Sequence, residues 1–238
     1  SIQKSLDIYE KTANKKASAE AHNHMGIILR SIGQSEKAFI HLRQSYEILE
    51  ELKDLKGLGK VLNSLGTASW WNGKPDQAID YYKKANTINS EIEQPYIMGL
   101  TQNNLGYVYL DLGEARLAYE AFEKGREIRK NLGIRGFEMM DVSGMALAML
   151  SLGNKKEALD LSSEAVKILE SYQQVEDLQR AWYNHYLILI ANGKDADTAK
   201  KYLMKAREII QTRAQQISDK KLRKDFLEKV AVNRMMMQ

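Results

Sequence analysis

The stretch from Leu58 to Ile88, LGKVLNSLGTASWWNGKPDQAIDYYKKANTI, carries one complete unit of this chain. Leu58, Leu62, Leu65 and Ser69 recur at intervals of three and four, which lays them along one face of a helix. A second stripe follows Gly73, at Ala78, Tyr81, Tyr82, Ala85 and Ile88. Gly73 stands where the first helix should end, because glycine adopts the left-handed backbone of a helix terminus without a Cβ clash. Pro75 falls just inside the second helix, where its missing N–H is not needed. The stretch reads as two helices joined by a tight turn.

The same unit repeats along the chain. Gly33, Gly73, Gly113, Gly153 and Gly193 lie 40 residues apart, and Gly26, Gly66 and Gly106 form a second series that becomes Ala146 and Tyr186. Ala38, Ala78, Ala118 and Ala158 form a third, displaced by one to Ala199, and Ile8, Ile48, Ile88, Ile128 and Ile168 a fourth, displaced by one to Ile209. A fixed period of this length is the signature of a stacked helical array. Gly26, Gly66 and Gly106 sit mid-helix, where glycine costs about 1 kcal/mol of propensity. The expectation is that they let two helices cross tightly, each glycine meeting a small alanine, Ala38, Ala78 or Ala118.

Two of these units, Asn63-Ser64-Leu65-Gly66 through Gly73 to Ala78 and Tyr82, and Asn104-Leu105-Gly106-Tyr107-Val108-Tyr109 through Gly113 to Ala118 and Phe122, resemble tetratricopeptide repeats with a longer period. The resemblance implies an all-α, right-handed superhelical solenoid forming a single domain over 1–238. It would consist of a leading half-repeat at 1–16, repeats at about 17–54, 57–94, 97–134, 137–174 and 177–214, and a capping helix at 219–236. The match thins where Ala146 and Ser162 replace the glycine and the aromatic, and again at Tyr186. The segment from Ile217 to Arg234 is similar to the end of such arrays in bacterial multidomain signalling proteins.

Composition removes several classes of function. The 238 residues include no cysteine, which excludes disulfides and thiolate chemistry and fits a cytoplasmic location. No apolar run approaches a membrane span. There is no phosphate-binding loop, no HExxH, no nucleophile elbow, and His22 and His24 stand two apart on a helix with their rings diverging. The expectation is therefore no catalytic residues, no metal and no cofactor. Residues 200–238 hold 11 Lys and Arg against 4 Asp and Glu, yet without aromatic interleaving or a nucleic-acid motif, which argues against a nucleic-acid role. The opening Ser1-Ile2-Gln3-Lys4, without an initiator Met or signal pattern, points to a piece of a longer protein.

The family holds partners on its first helices. Carried through the Leu65-Gly66 and Leu105-Gly106 registers, the resemblance implies a binding face of Asn23, His24 and Arg30, then Lys60, Asn63, Thr67 and Trp70, then Asn103, Asn104 and Tyr107. Helical spacing also puts Lys60, Asn63, Thr67 and Trp70 opposite the Leu58, Leu62, Leu65 stripe. Asn23, Asn63 and Asn103 recur 40 apart, and each offers a donor and an acceptor. They either pair with the backbone of a bound peptide or tie neighbouring helices together. The function this implies is a non-enzymatic scaffold or sensor that binds a peptide, a protein or another domain of its own parent chain. The alternative is the regulatory region of a bacterial signalling enzyme or transcriptional regulator that responds to a small ligand or peptide.

Overall fold

A computed structural model describes residues 14–171 and 178–238. Residues 1–13 of the leading half-repeat expected over 1–16 lie outside the described residues, and Asn14, Lys15 and Lys16 belong to the cap and start of the next helix. From there the chain forms five consecutive helix pairs: α1 (Lys15–Ser31) with α2 (Ser35–Glu51), α3 (Leu55–Trp71) with α4 (Pro75–Glu91), α5 (Pro95–Asp111) with α6 (Ala115–Asn131), α7 (Arg135–Ser151) with α8 (Lys155–Ser171), and α9 (Leu178–Ala191) with α10 (Ala196–Gln215). Two short helices, α11 (Lys220–Glu228) and α12 (Ala231–Met237), complete the chain. No strand occurs among the described residues.

Two 17-residue helices and the turns 32–34 and 52–54 account for the 40-residue period. Gly33, Gly73, Gly113, Gly153 and Gly193 all have positive φ, between 65° and 83°. At the second of these turns the Gly73 N–H donates to the Trp70 carbonyl (2.9 Å) and the Lys74 N–H to the Ser69 carbonyl (3.0 Å), which satisfies the last carbonyls of α3. The turns between pairs use the same geometry without always using glycine. The left-handed position there is Lys53 (φ 52°), Glu93 (φ 51°) or Gly133 (φ 69°). Downstream of Lys53, Asp54 caps α3, its carboxylate accepting from the Gly57 N–H at 3.0 Å. Lys16, 2.7 Å away, and that N–H hold the Asp54 carboxyl below the usual carboxylate range.

The glycine crossings are close, and a large side chain comes nearest in each, although at Gly26 a Cβ would also stand 3.1 Å from the carbonyl oxygen of the expected Ala38. A Cβ at Gly26 would fall 2.5 Å from Leu42 Cγ, one at Gly66 2.5 Å from Tyr82 Cε1, and one at Gly106 2.6 Å from Phe122 Cε1. The glycines therefore receive the large residue one turn beyond each alanine. Ala38, Ala78 and Ala118 are themselves fully buried. The Tyr82 hydroxyl is anchored by donating to Thr67 Oγ1 at 2.9 Å.

The described residues fall into two compact units, residues up to Thr101 together with Lys224–Val230, and Gln102–Arg223 together with Ala231–Gln238. Where the sequence suggested one helix over 219–236, the chain breaks at Lys229 and Val230. In the first unit the α1–α2 turn lies against the segment before the break, and a Cβ at Gly33 would stand 2.8 Å from the Asp225 carbonyl oxygen. In the second, α12 packs on α10, and Arg207 Nε donates to the Met236 carbonyl at 2.7 Å. The break thus gives each half of the segment its own packing surface.

Two stability changes follow from these contacts. Gly66→Ala gains about 1 kcal/mol of helix propensity but overpacks a fully buried, hydrogen-bonded tyrosine, so urea denaturation should show a net loss of about 1 kcal/mol or more. Lys53→Gly, relieving a left-handed lysine on the surface, should gain about 1 kcal/mol in the same assay.

Candidate functional site

The ten residues of the expected binding face occur in both units and meet different fates. In the first unit His24 and Lys60 are exposed and Trp70 is half-buried. The Arg30 guanidinium lies 4.7 Å from the centroid of a Trp71 ring, a cation–π contact between α1 and α3. Thr67 is buried, accepting from Tyr82 and donating to the Asn63 carbonyl at 3.1 Å. Behind this face, buried His22 meets His41 with their Nδ1 atoms 2.9 Å apart.

The asparagine series ties helices together where the next helix offers a partner. Asn63 Oδ1 accepts from the Thr101 hydroxyl at 3.1 Å, and Asn103, buried, donates through Nδ2 to Asp141 Oδ1 at 2.8 Å. Each partner stands 38 residues further on, on the first helix of the next pair. Thirty-eight residues beyond Asn23 is Val61, and Asn23 Oδ1 is buried without a hydrogen-bond partner. In the second unit Asn104 is half-buried, while Tyr107 is buried, edge-on to Phe122, beneath the Arg180 guanidinium at 4.1 Å. Asn184 donates to Ser143 Oγ at 2.9 Å and to the Tyr107 hydroxyl at 3.4 Å.

A buried charged junction lies beside this network. Arg129 on α6 and Asp141 on α7 form an ion pair with side chains only 2% and 0% exposed, joined by Asn103. Glu138, one turn before Asp141, is also buried, with Oε1 unpartnered, and Arg129 Nη2 is unpartnered too. Gly125 makes room for the carboxylate, since a Cβ there would fall 2.6 Å from Asp141 Oδ1. The repeat register shows what is unusual. Positions 129, 138 and 141 correspond to Leu49, Leu58 and Val61 two units earlier, all three members of one buried apolar cluster. One unit earlier the same positions are Asn89, Met98 and Thr101, so three charged residues together at 129, 138 and 141 are a signal present in the sequence that catalytic motifs do not capture.

Comparison with known proteins agrees with this architecture. A family model described as tetratricopeptide repeat matches residues 59–92 and 101–131, the helices α3–α4 and α5–α6. Residues 59–92 and 101–131 are tetratricopeptide repeats. The chain is 30% identical over 104 residues to an uncharacterized protein, ycf37, of Guillardia theta, a match covering 44% of this chain and 54% of that protein. The chain thus spans about half the length of the curated relative it matches. Among solved structures, BtubC (BKLC) from P. vanneervenii aligns with a TM-score of 0.71 at 18% identity over 89% of each chain. A signal transduction ATPase with numerous domains, PH0952 from Pyrococcus horikoshii, aligns with a TM-score of 0.65 at 18% identity over 93% of this chain and 34% of that one. At these identities the likeness establishes the fold. Among the described residues, no helix is long and apolar enough to cross a membrane, and no group of three or more His, Asp or Glu could hold a metal ion.

Where α6 meets α7 the Asp141 carboxyl is set by burial, which pushes it up to about 6 against the opposing pull of Arg129 and Asn103, with Glu138 adding to the rise. Between its unfolded value near 3.8 and about 6, the folded state holds more protons at this site than the unfolded one. Stability from this residue is therefore greatest at low pH and falls as pH rises across that window. Subtracting the pH profile of Asp141→Asn from that of the wild type should reveal a loss of about 2 kcal/mol between pH 4 and 6. A flat difference would mean that Arg129 keeps the carboxylate ionised throughout.

Proposed function

We propose that this chain is a non-enzymatic interaction module that holds a peptide or protein segment on the first helices of its repeats. Tetratricopeptide repeats are interaction modules, and the observation that supports this use is the face of α1 and α3. There Arg30 stacked on Trp71, half-buried Trp70 and exposed Lys60 and His24 combine an aromatic surface with positive charge. Tryptophan and arginine dominate binding energy where they occur together at the centre of an interface. Asn63 and Thr67 would then act from behind, fixing α3, one of the two helices that present the face. The partner is a protein segment carrying apolar and acidic residues, supplied by another chain or by another domain of the same parent. A sensor role within a larger signalling protein has one specific support: PH0952 is described as carrying a tetratricopeptide repeat sensor, and this chain aligns with about a third of it.

The test is selection from a displayed library of random dodecapeptides, followed by affinity measurement on Lys60→Glu and Trp70→Ala variants with helical content checked by circular dichroism. Peptides selected on the wild type should lose about ten-fold or more in affinity to each variant. Peptides indifferent to both would place recognition away from this face.

A further inference from the structure

In the second unit, α6 and α8 leave a crevice of about 880 Å³ over the start of α7. The equivalent crevice in the first unit, between α2 and α4, is about 330 Å³ and is floored by Leu58 and Leu62. The larger one has Glu138 where the smaller has Leu58, and Lys167 where the smaller has Thr87. Glu138 lines the crevice, its residue is only 7% exposed, and its Oε1 has no hydrogen-bond partner. A buried acceptor left unpaired is costly, and a donor in the crevice would satisfy it once the Glu138 carboxylate turns outward.

The rest of the lining defines that donor's other end. Arg126 and Glu164 are occupied with each other. What remains is Lys130, Arg135 and Lys167 on the positive side and Glu123, Glu127 and Glu138 on the negative. Three charges of each sign disfavour a polyphosphate or a polyamine, each of which would face as much repulsion as attraction. They suit a molecule that itself carries both signs.

We propose that this crevice binds a small zwitterion of the amino-acid or short-peptide class, its ammonium on Glu138 and its carboxylate among Lys130, Arg135 and Lys167. The site is separate from the α1–α3 face and does not depend on the reading of that face. Its occupant would also press on Glu138 and, through it, on the Arg129–Asp141 pair that joins α6 to α7.

The experiment uses the 15N-labelled chain and two separate probes, a pool of the twenty common amino acids and a pool of random tripeptides. One or both should shift the amide resonances of Gly125 and Gly136, which lie on the two helices that meet at Glu138. Response to the amino-acid pool identifies a free metabolite, and response to tripeptides alone a peptide terminus. Glu138→Met installs the residue that the register carries at Met98, so it should fold, melt higher than the wild type and lose about ten-fold or more in affinity for the active pool. Arg135→Glu, on an exposed side chain, gives the same reading should the methionine variant fail to fold. No shift from either pool, or a shift unchanged in these variants, overturns the proposal.

Discussion

The distance between the two helices of each pair governs everything else in this chain. A glycine on the first helix removes the side chain at the crossing, and a large residue on the second fills the space: Leu42 over Gly26, Tyr82 over Gly66, Phe122 over Gly106. Burying such a side chain is worth on the order of 2–3 kcal/mol, which outweighs the propensity lost at the glycine. Phe122 extends the arrangement beyond its own pair, because its ring would also meet a Cβ at Gly144 on α7 at 2.4 Å. The pairing reverses where the small residue grows. Ala146 replaces the glycine in the fourth pair, and the residue in the opposing column shrinks to Ser162, whose hydroxyl lies 2.9 Å from His185 Nδ1.

With the crossing fixed, the turns set the stacking. From α1 to α8, helices of 17 residues joined by turns of one geometry produce a period that the chain repeats without adjustment. Glycine serves that turn inside every pair, whereas between pairs Lys53 and Glu93 accept the strained backbone. The shared hydrogen bonds explain the tolerance. Lys53 N–H still reaches the Glu50 carbonyl and Asp54 N–H the Leu49 carbonyl, as at the glycine turns.

The fold was legible because repetition multiplies weak signals: a glycine that means little once becomes decisive when it recurs with its alanine and isoleucine columns. The contacts were less legible because they do not follow the columns. Asn63 bonds Thr101 and Asn103 bonds Asp141, each 38 residues on, so the partner sits in a different column from the asparagine itself. Comparing two columns would have found both bonds, and would have shown Val61 leaving Asn23 without one. The residue that comes nearest each glycine lies one turn beyond the expected alanine, since helical spacing places Ala78 and Tyr82 on the same face and does not say which of them fills the crossing. His22 and His41 look unrelated in sequence and meet only because α1 packs on α2.

The register also isolates what the architecture does not require. An array of this kind can close the junction between pairs with hydrocarbon alone, as Leu49, Leu58 and Val61 do in the first unit. Replacing those three by Arg129, Glu138 and Asp141 keeps the fold while introducing three buried charges, of which one ion pair and one asparagine satisfy only part. An apolar set of similar volume at such a junction is commonly neutral or more stable by 1–4 kcal/mol, so packing does not account for the exchange. The neighbouring residues have changed in concert: Gly125 makes room for the Asp141 carboxylate, and the crevice outside is wider and ringed by charge. A junction that gives up apolar burial beneath a wider, charged crevice is arranged around something other than its own stability. The unpaired Glu138 oxygen is the atom at which that arrangement is incomplete.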